Sequence, residues 1–360
     1  MRRATKGVMP GVTVRVGVVS WNTAELLSRC LAALPAALAG VDFDVVVVDN
    51  DSTDDSAEVA ARTPSVRLIR NPVNVGYGRA MNQALAGAAA AVLVALNPDT
   101  VPPPHSLARL AGRLLADPGV GLVAPQLVDS AGVAQHTARG FPSLAGAAAT
   151  CLLPVRWHGG TLGRRLLLEA APQPEGPQDV DWVIGAVHVI RASAVRGRRP
   201  YDERWFMYAE DIELCWWLAL RGWRRRLEAD ITVPHLGNAS GDQAWADGYM
   251  ERCYDAIYDW YQRDVSAVGV RALAGLNAVT AGSRAAAGMV LRRSEEHVAW
   301  LRRIAPYHAR VALYGAPEPG GPPTAADPST APPPMEPADG AEGRVRRPAD
   351  LRRRMGIRMP

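Results

Sequence analysis

The stretch FDVVVVDNDSTDDS, residues 43–56, decides the fold predicted for this chain. It joins an unbroken apolar run to a cluster of acids, serine and threonine. An apolar run without alternation is typical of a strand that helices cover on both faces. Acids and hydroxyls favour the first turn of a helix, because they accept hydrogen bonds from its free amides and suit its dipole. We therefore predict a buried strand over 43–48 and a helix that begins with the acidic cluster.

The same succession of strand and helix occurs four times between residues 14 and 117. Repeated strand–helix units predict a doubly wound, mostly parallel α/β sheet. In such a sheet, ligands bind at the carboxyl ends of the strands. The predicted strands are 14–20, 43–48, 66–69 and 91–96, and the predicted helices include 25–39 and 79–90.

Polar side chains follow three of these strands at the point where each strand ends. They are Ser20 with Asn22, Asp49 with Asn50, and the turn Asn97–Asp99. Because parallel strands end at the same edge of a sheet, we expect these side chains to form one ligand site. A dinucleotide site is excluded, since the first strand–helix turn reads SWNTAE and lacks the GxGxxG pattern that a pyrophosphate needs.

The chemistry of these strand ends has alternatives. The carboxylate of Asp49 and the carboxamide of Asn50 can bond a nucleobase and a ribose, whereas the acids after them suit helix capping. The sequence Asn-Pro-Asp at 97–99 is, by itself, a good turn. Its position at the end of a strand favours a second interpretation. Asp99 would hold a divalent cation, Mg²⁺ or Mn²⁺, that already carries two phosphates.

An adjacent pair of acids, Glu210 and Asp211, begins a strongly apolar helix predicted over 208–222. The pair can cap the helix, or one carboxylate can serve as a general base. The helix dipole lowers the pKa of a carboxyl there and the neighbouring carboxylate raises it, and the sequence leaves open which effect is larger. His235, after a strand predicted over 227–233, is either structural or close enough to contact the cation.

Composition excludes several classes of protein. The formal net charge of +4 is too small to indicate a nucleic-acid binder. The four cysteines lie far apart without a CxxC pair, which argues against zinc fingers, redox dithiols and a disulfide framework. No signal peptide is visible, and the apolar runs are shorter than the roughly 20 residues that span a bilayer. We therefore expect a cytoplasmic protein, with peripheral contact to the inner face of the membrane left open.

Seven motifs, in this order, resemble glycosyltransferase family 2, and within it the rhamnosyltransferase-like branch. They cover about residues 13 to 241, and the ordered set is more specific than any one motif. The resemblance implies the inverting GT-A fold, in which a mostly parallel sheet binds a nucleotide sugar. The motifs are VVSWN (18–22), VVVVDNDSTDDS (45–56), NVGYGRAMNQA (74–84), LNPDT (96–100), WVIGAVHVIR (182–191), FMYAEDIELCWWLALRGW (206–223) and HLGNAS (235–240).

The resemblance also implies a role for each matching residue. Asp211 would take the proton from an acceptor hydroxyl, and Glu210 would orient the acceptor. Asp99 and His235 would hold the cation, although Asn97 stands where many members carry an aspartate. Trp182 and Gly185 would lie beneath the acceptor. The donor-binding residues would be Ser20, Asn22, Asp49, Asn50, Asn74, Gly76, Asn82, Asn97 and Asp99.

The function that the resemblance implies is that of a metal-dependent, inverting glycosyltransferase. It would move a sugar from a nucleoside-diphosphate donor, with dTDP-L-rhamnose favoured, to a hydroxyl of a glycan, lipid-linked glycan or secondary metabolite. Cell-wall and natural-product glycosylation both fit. Two alternatives stay open: a catalytically inactive nucleotide-sugar-binding protein and a sugar-nucleotide pyrophosphorylase. The four acids and bases at 99, 210, 211 and 235 argue against the first, and the absence of a glycine-rich basic loop after the first strand argues against the second.

The remainder of the chain divides by composition. Residues 138–178 are rich in proline and glycine and are predicted to be irregular, with a strand over 180–190 after them. Beyond Gly315 the chain is rich in proline and alanine, acidic as far as 342, and then carries seven arginines. Such a segment is predicted to be disordered. We expect an N-terminal extension over 1–12, the GT-A catalytic domain over 13–244, helices over 245–314 and the tail over 315–360.

Overall fold

A computed structural model describes residues 13–152, 176–236, 249–290 and 295–317. The described strands form an eight-stranded sheet and a separate pair of short strands. The strands are β1 (Thr13–Ser20), β2 (Asp42–Asp49), β3 (Val66–Arg70), β4 (Val92–Leu96), β5 (Val120–Val128), β6 (Ala138–Arg139), β7 (Pro177–Val180), β8 (Trp182–Val183), β9 (Val187–Arg191) and β10 (Arg224–Pro234).

Helices cover both faces of the large sheet. A single 3₁₀ turn, Ala192–Val195, follows β9, and a π-helical turn, Tyr261–Val265, lies between two of the C-terminal helices. The α-helices are α1 (Ala24–Ala37), α2 (Ser56–Arg62), α3 (Tyr77–Leu85), α4 (Ser106–Ala116), α5 (Leu144–Leu152), α6 (Glu210–Leu220), α7 (Tyr249–Trp260), α8 (Gly269–Val290) and α9 (Glu295–Tyr314).

The sheet has the strand order β3-β2-β1-β4-β9-β5-β10-β7. The four strands predicted from the repeated pattern pair in parallel, with Val16 of β1 opposite Val45 of β2 and Val94 of β4. Beyond β4 the direction changes, because β9 runs antiparallel to both β4 and β5. Strand β10 is parallel to β5, and β7 is antiparallel to β10. The expected mostly parallel α/β sheet is confirmed.

The unbroken apolar run of β2 is explained by two hydrophobic cores, one on each face of the sheet. Val45 and Val47 belong to the core that α1 and α4 complete. Val46 and Val48 belong to the other core, with α3 and α6. A strand covered on both faces needs apolar side chains at every position, since successive side chains point to opposite faces.

The C-terminal helices pack into the same core as α3 and α6. Cys253 of α7, Leu273 of α8 and Leu301 of α9 are all buried in that cluster, together with Ile212 of α6. Helices α8 and α9 form an antiparallel hairpin, and α5 packs against α8. The C-terminal helices therefore cover one face of the catalytic sheet.

The structure corrects two of the predicted elements. The single strand predicted over 180–190 is wrong: β7, β8 and β9 lie there, interrupted at Asp181 and by the turn around Gly185. At this break the carboxylate of Asp181 accepts a hydrogen bond from the Phe141 amide at 3.0 Å. The segment predicted to be irregular from residue 138 contains β6 and α5, an alanine-rich helix that packing on α8 stabilises.

Several predictions fall on residues outside the described ranges. They are the N-terminal extension over 1–12, the end of the HLGNAS motif at 237–240, and the tail beyond 317. Within the described ranges, no helix combines the length and the apolar character needed to cross a bilayer.

Candidate active site

The turns after β1 and β2 are joined by side-chain hydrogen bonds. Asn22 adopts a left-handed conformation, and its side-chain oxygen Oδ1 accepts a hydrogen bond from the backbone amide of Thr53 at 2.7 Å. The backbone amide of Asn22 donates to Ser52 Oγ at 3.0 Å. The Ser20 hydroxyl is fully buried and pairs with Thr23 Oγ1 at 2.8 Å. Both residues lie at the predicted edge, where Asn22 joins the two turns and Ser20 orders the first of them.

Asp49 is the last residue of β2 and Asn50 follows it, and their side chains make different contacts. Asn50 is 2% exposed, and its side chain bonds the loop before α3: Nδ2 donates to Asn74 Oδ1 at 2.7 Å and Oδ1 accepts from the Asn71 amide group at 2.9 Å. Asp49 has one buried oxygen, Oδ1, without a hydrogen-bond partner in the described structure. The donor-binding roles expected for both residues stay predictions, and the structure shows how their side chains differ. Asp49 has an acceptor to offer a ligand, and Asn50 orders the neighbouring loop.

The loop from Asn74 to Gly76 lies directly against the segment that leads into α6. Gly76 has a φ of +86°, and a Cβ at this position would lie 2.4 Å from the Phe206 carbonyl oxygen. The same oxygen accepts a hydrogen bond from the Tyr77 amide at 2.8 Å. Glycine is required here because the backbone conformation and the close contact both exclude a side chain.

Asn82 lies on α3, and its side chain bonds the segment around Tyr201. Its side-chain oxygen Oδ1 accepts a hydrogen bond from the Tyr201 backbone amide at 3.0 Å. Its Nδ2 donates to the Tyr201 carbonyl at 2.8 Å and to the Glu203 carboxylate at 3.0 Å. It is 5% exposed. Both ends of the carboxamide order the segment at 201–203, and the donor-binding role expected for Asn82 stays a prediction.

Asp99 and His235 come together as predicted. Nε2 of His235 lies 3.4 Å from Asp99 Oδ2, and the two side chains are 12% and 8% exposed. The contact is built by backbone pairing, because the Leu236 amide donates to the Asp99 carbonyl at 2.9 Å and Thr100 bridges to His235. The strand β10 thus carries His235 back to the turn after β4.

Gln135, which the sequence did not single out, orients the imidazole of His235. Its amide group donates to the His235 carbonyl at 2.9 Å, so its carbonyl oxygen faces His235 Nδ1 at 2.8 Å. An amide oxygen only accepts, and the neutral imidazole therefore carries its proton on Nδ1. The lone pair of Nε2 is left pointing at Asp99, which is the arrangement of a histidine that ligates a metal.

These residues fit a divalent cation that is shared with phosphate oxygens. Asp99 Oδ1 and Asn97 Oδ1 are buried and have no hydrogen-bond partner in the described structure. The described residues contain no cluster of three or more His, Cys, Asp or Glu side chains that could enclose a metal by themselves. Mg²⁺ and Mn²⁺ sites of transferases commonly need one or two protein carboxylates, since the substrate supplies the other oxygens.

The acid pair lies at the amino terminus of α6, after an unusual turn. Tyr208 and Ala209 both have a positive φ, 69° and 65°, although neither is glycine. Consecutive left-handed residues of this kind persist only where surrounding contacts impose them, and they cluster at functional sites. The turn places Glu210 against the protein interior, 7% exposed, with Oε2 buried and without a hydrogen-bond partner in the described structure.

Asp211 is held from two sides. Its Oδ2 accepts a hydrogen bond from the Gly185 amide at 3.1 Å, and its Oδ1 accepts from the Ile212 amide at 2.8 Å. A third acid of the helix, Glu213, is engaged elsewhere: it forms a two-pronged ion pair with Arg198 at 2.8 and 2.9 Å. Only Glu210 and Asp211 therefore remain as reactive carboxyl groups of this helix.

Burial decides the proton affinity of the acid pair. It is the main cause that raises the pKa of Glu210, followed by the neighbouring Asp211 carboxylate. Burial also raises the pKa of Asp211, although hydrogen bonds from the Ile212 and Gly185 amides and the charge of Arg139 oppose it. Because Asp211 accepts two amide hydrogen bonds and Glu210 Oε2 accepts none, Asp211 ionises first.

Gly185 lies directly against Asp211, and Trp182 lies on β8, three residues before it. The Trp182 ring is 2% exposed, and its Nε1 donates to the Gly140 carbonyl at 2.9 Å. The Gly185 carbonyl accepts a hydrogen bond from the Tyr77 hydroxyl at 3.3 Å. Burial, and after it the charges of Glu210, Asp211 and Asp99, raises the pKa of Tyr77.

Tyr77 therefore lies near both the acid pair and Asp99. The sequence offered one signal for it, its position inside the NVGYG motif. It offered none for Gln135, whose partner is 100 residues away.

The comparisons with known proteins agree with this geometry. The family model described as "Glycosyl transferase family 2" matches residues 16–170. The N-acetylglucosaminyl-diphospho-decaprenol L-rhamnosyltransferase of Mycobacterium tuberculosis (strain ATCC 25618 / H37Rv) is 33% identical over 224 residues, which are 58% of this chain and 71% of that protein. The chain belongs to glycosyltransferase family 2.

A second sequence relative and a solved structure define how far the likeness extends. The pre-mycofactocin glycosyltransferase of the same strain is 30% identical over 217 residues, which are 59% of this chain and 40% of that protein. A mannosyltransferase from Pyrobaculum calidifontis, solved in complex with GDP-Man and Mn²⁺, superposes with a TM-score of 0.50 at 17% identity, over 84% of this chain and 87% of that one. At that identity the superposition shows the fold alone. The GT-A fold and the glycosyltransferase class predicted from the seven motifs are confirmed.

Proposed function

We propose that this family 2 glycosyltransferase is an inverting enzyme that transfers a sugar from a nucleoside diphosphate to an acceptor hydroxyl. One observation carries the proposal. The Asp211 carboxylate is held by the Gly185 amide at 3.1 Å on one side of the sheet edge, while Asp99 and His235 face each other on the other side. A base and an anion-stabilising site at one edge are what a single displacement at an anomeric carbon requires.

The proposed donor is dTDP-L-rhamnose. The support is the similarity to the Mycobacterium tuberculosis relative, which is named as an L-rhamnosyltransferase. Asp49 lies where the nucleoside would bind and offers its buried, unpartnered Oδ1. For the acceptor we propose a lipid-linked glycan first, as in the name of that relative, and a secondary metabolite second, as in the name of the pre-mycofactocin enzyme.

We propose that Asp99 and His235 hold a divalent cation, with Asn97 beside them. The support is the pair of buried, unpartnered oxygens on Asp99 and Asn97, together with the Nε2 lone pair that Gln135 imposes on His235. When bound, such a cation would neutralise charge on the departing nucleoside diphosphate. Asn97 carries no charge, so the site binds its cation more weakly than one with two carboxylates would.

Asp211 is the proposed general base, and Glu210 the residue that orients the acceptor. Two neighbouring carboxyl groups whose environments separate their pKa values commonly divide the acid and base roles. Asp211, which two amides stabilise as the carboxylate, can take the proton from the acceptor hydroxyl. Glu210, which burial keeps protonated, can donate a hydrogen bond to an acceptor oxygen.

The test is a panel of dTDP-, UDP- and GDP-sugars, with Mn²⁺ or Mg²⁺ and without acceptor, assayed for hydrolysis to the nucleoside diphosphate. We expect one donor to be cleaved and EDTA to abolish the cleavage. With an acceptor found for that donor, Asp211→Asn should lower kcat by about 10² to 10⁴, as loss of a general base does. Asp42→Asn is the matched control, because Asp42 is exposed at the opposite end of β2.

Three outcomes would contradict parts of this proposal. Near-wild-type kcat for Asp211→Asn would remove the base assignment. Full turnover in EDTA, after bound metal has been removed, would overturn the cation site. If no nucleotide sugar is cleaved and UDP, dTDP and GDP with Mn²⁺ leave the melting temperature unchanged, the chain is an inactive member of the family.

A further inference from the structure

Arg139 forms no ion pair with the described residues, and its Nε has no hydrogen-bond acceptor. Arg139 lies on β6, opposite Trp182 of β8, and its side chain is half-buried. Its Nε is buried without a hydrogen bond, and no carboxylate of the described residues lies within ion-pair distance. The guanidinium carbon lies 5.7 Å from the centre of the Trp182 ring.

Other arginines with buried or half-buried side chains in this protein are paired. Arg15 donates to Asp44 at 2.7 Å, Arg198 forms its two bonds to Glu213, and Arg226 donates to Asp179 at 2.9 Å. Pairing is the rule because a cation withdrawn from water needs an opposite charge or hydrogen-bond acceptors to replace its hydration. The buried Nε of Arg139 has no such acceptor among the described residues, so it is available to a ligand.

The position of Arg139 indicates which part of the site it serves. Strand β6 pairs with β8, and the chain then leads from β8 to Gly185, whose amide holds Asp211. The positive charge of Arg139 is felt at Asp211, where it favours the carboxylate. The cation is thus on the acceptor side of the proposed base, on strands separate from the turn that carries Asp99.

Trp182 gives this cation a defined position. The indole Nε1 is fixed by the Gly140 carbonyl, so the ring cannot turn, and Arg139 lies over its face. Stacking on an aromatic face leaves the planar edge of a guanidinium available for two parallel hydrogen bonds. Phosphate oxygens match this fork better than any neutral group does.

We infer that Arg139 binds phosphate oxygens of the acceptor, so that the acceptor hydroxyl attacked with the help of Asp211 belongs to a phosphate- or diphosphate-bearing molecule. This inference rests on the proposed function, because it concerns the acceptor of that reaction. The donor also carries a diphosphate, which is the other source of the same chemistry. The strands that carry Arg139 favour the acceptor.

The experiment measures two affinities by calorimetry: that of the nucleoside diphosphate with Mn²⁺, and that of inorganic pyrophosphate for the protein already saturated with both. We expect Arg139→Ala to weaken pyrophosphate binding at least tenfold and to leave nucleotide affinity unchanged. Arg139→Lys should retain part of the binding, because it keeps the charge and loses the fork. Arg139→Met keeps an apolar stem over Trp182 and reports the loss of charge if the alanine variant folds poorly.

Arg221→Ala is the matched control. Arg221 also stacks on a tryptophan, 3.9 Å from the Trp217 ring, but it is exposed at the end of α6. Both affinities should be those of the wild type.

Two results would overturn the inference. The first is that nucleotide-loaded wild-type protein does not bind pyrophosphate, or that the Arg139 variants bind it equally well. The second is an equal loss of nucleotide affinity in Arg139→Ala, which would assign the arginine to the donor diphosphate. Failure of the proposed function is recognised separately, since a chain that cleaves no nucleotide sugar can still be tested for the pyrophosphate site.

Discussion

At the scale of single residues, the site contains two kinds of polar side chain. Asn50, Asn82 and Asn22 have their carboxamides engaged in hydrogen bonds that order loops. Asp49, Asp99 and Glu210 each have a buried oxygen without a partner in the described structure. A buried acceptor without a partner costs about 1–3 kcal/mol, and such groups persist where a ligand, a proton or a cation satisfies them. These three oxygens are therefore the acceptors that we expect a bound ligand, proton or cation to satisfy.

The raised pKa of Glu210 predicts a dependence of stability on pH. A carboxyl whose pKa is raised by folding holds its proton where the unfolded chain has lost it, so stability falls as pH rises from about 4 through the raised pKa. Glu210→Gln removes this loss. We expect the variant to gain stability over wild type between pH 5 and pH 8, by about 1.4 kcal/mol for each unit of raised pKa.

Urea unfolding of both proteins at the two pH values measures this gain. Glu25→Gln is the control, because Glu25 also lies in a first helical turn but is exposed. A stability difference between Glu210→Gln and wild type that is the same at pH 5 and pH 8 would show that the Glu210 carboxyl is not perturbed.

At the scale of elements, the loop before α3 and the turn before α6 depend on each other. The Tyr77 amide donates to the Phe206 carbonyl, and Gly76 lies against the same group. The Tyr77 hydroxyl reaches the Gly185 carbonyl, beside the amide that holds Asp211. A displacement of the donor-side loop is thereby transmitted to the acid pair.

Gly76→Ala should break this coupling. Its Cβ would meet the Phe206 carbonyl oxygen at 2.4 Å, so the turn before α6 must shift. Gly87→Ala is a matched control: Gly87 also has a positive φ, +65°, but no atom lies within 4 Å of the added Cβ. Both variants bear the cost of a positive φ, about 1–3 kcal/mol. With a ψ of 163°, Gly76 has a backbone conformation that is nearly restricted to glycine. Only Gly76→Ala adds an overpacking cost of about 1–3 kcal/mol.

The measurements are urea unfolding and kcat/KM for donor hydrolysis. We expect Gly76→Ala to lose more stability than Gly87→Ala and to lose most of its activity, with Gly87→Ala active. Equal stability and activity in the two variants would mean that the contact with Phe206 does not position α6.

At the scale of the whole molecule, a buried hydrogen bond joins α7 of the C-terminal helices to the segment that precedes α6. Trp205 and Asp259 are 1% and 2% exposed, and Trp205 Nε1 donates to Asp259 Oδ2 at 3.0 Å. Trp205 precedes the turn that leads into the acid pair, so α7 supports that turn from outside the sheet. Arg263 donates to the other Asp259 oxygen at 2.7 Å.

Asp259→Ala should destabilise the protein by about 1–3 kcal/mol, because the buried Trp205 indole loses its acceptor. Asp264→Ala is the control: Asp264 pairs with Arg204 at 3.1 Å, but both side chains are partly exposed. A pair of that kind contributes about 0–1 kcal/mol. Urea unfolding distinguishes the two. A similar small effect for both would show that α7 does not depend on the indole contact.

The sequence by itself determined the parallel half of the sheet and the edge where ligands bind. This succeeded because the signals are local: an unbroken apolar run needs two covered faces, and the polar cluster after it must lie at the strand end. The pairing of Asp99 with His235 also followed, because the predicted strand β10 returns to that edge. The acid pair was predicted from its place within the family motif at residues 206–223, which is also a local pattern.

Tertiary structure decided what depends on distant residues. The reversal of β9, the inward orientation of Asn50 and the choice of proton on His235 all rest on partners between 21 and 100 residues away. The proton affinity of Glu210 and Asp211 was undecided from the sequence, since dipole and neighbour oppose each other. Burial by elements far apart in the chain settles it, because withdrawing both carboxyls from water outweighs the local field of one helix.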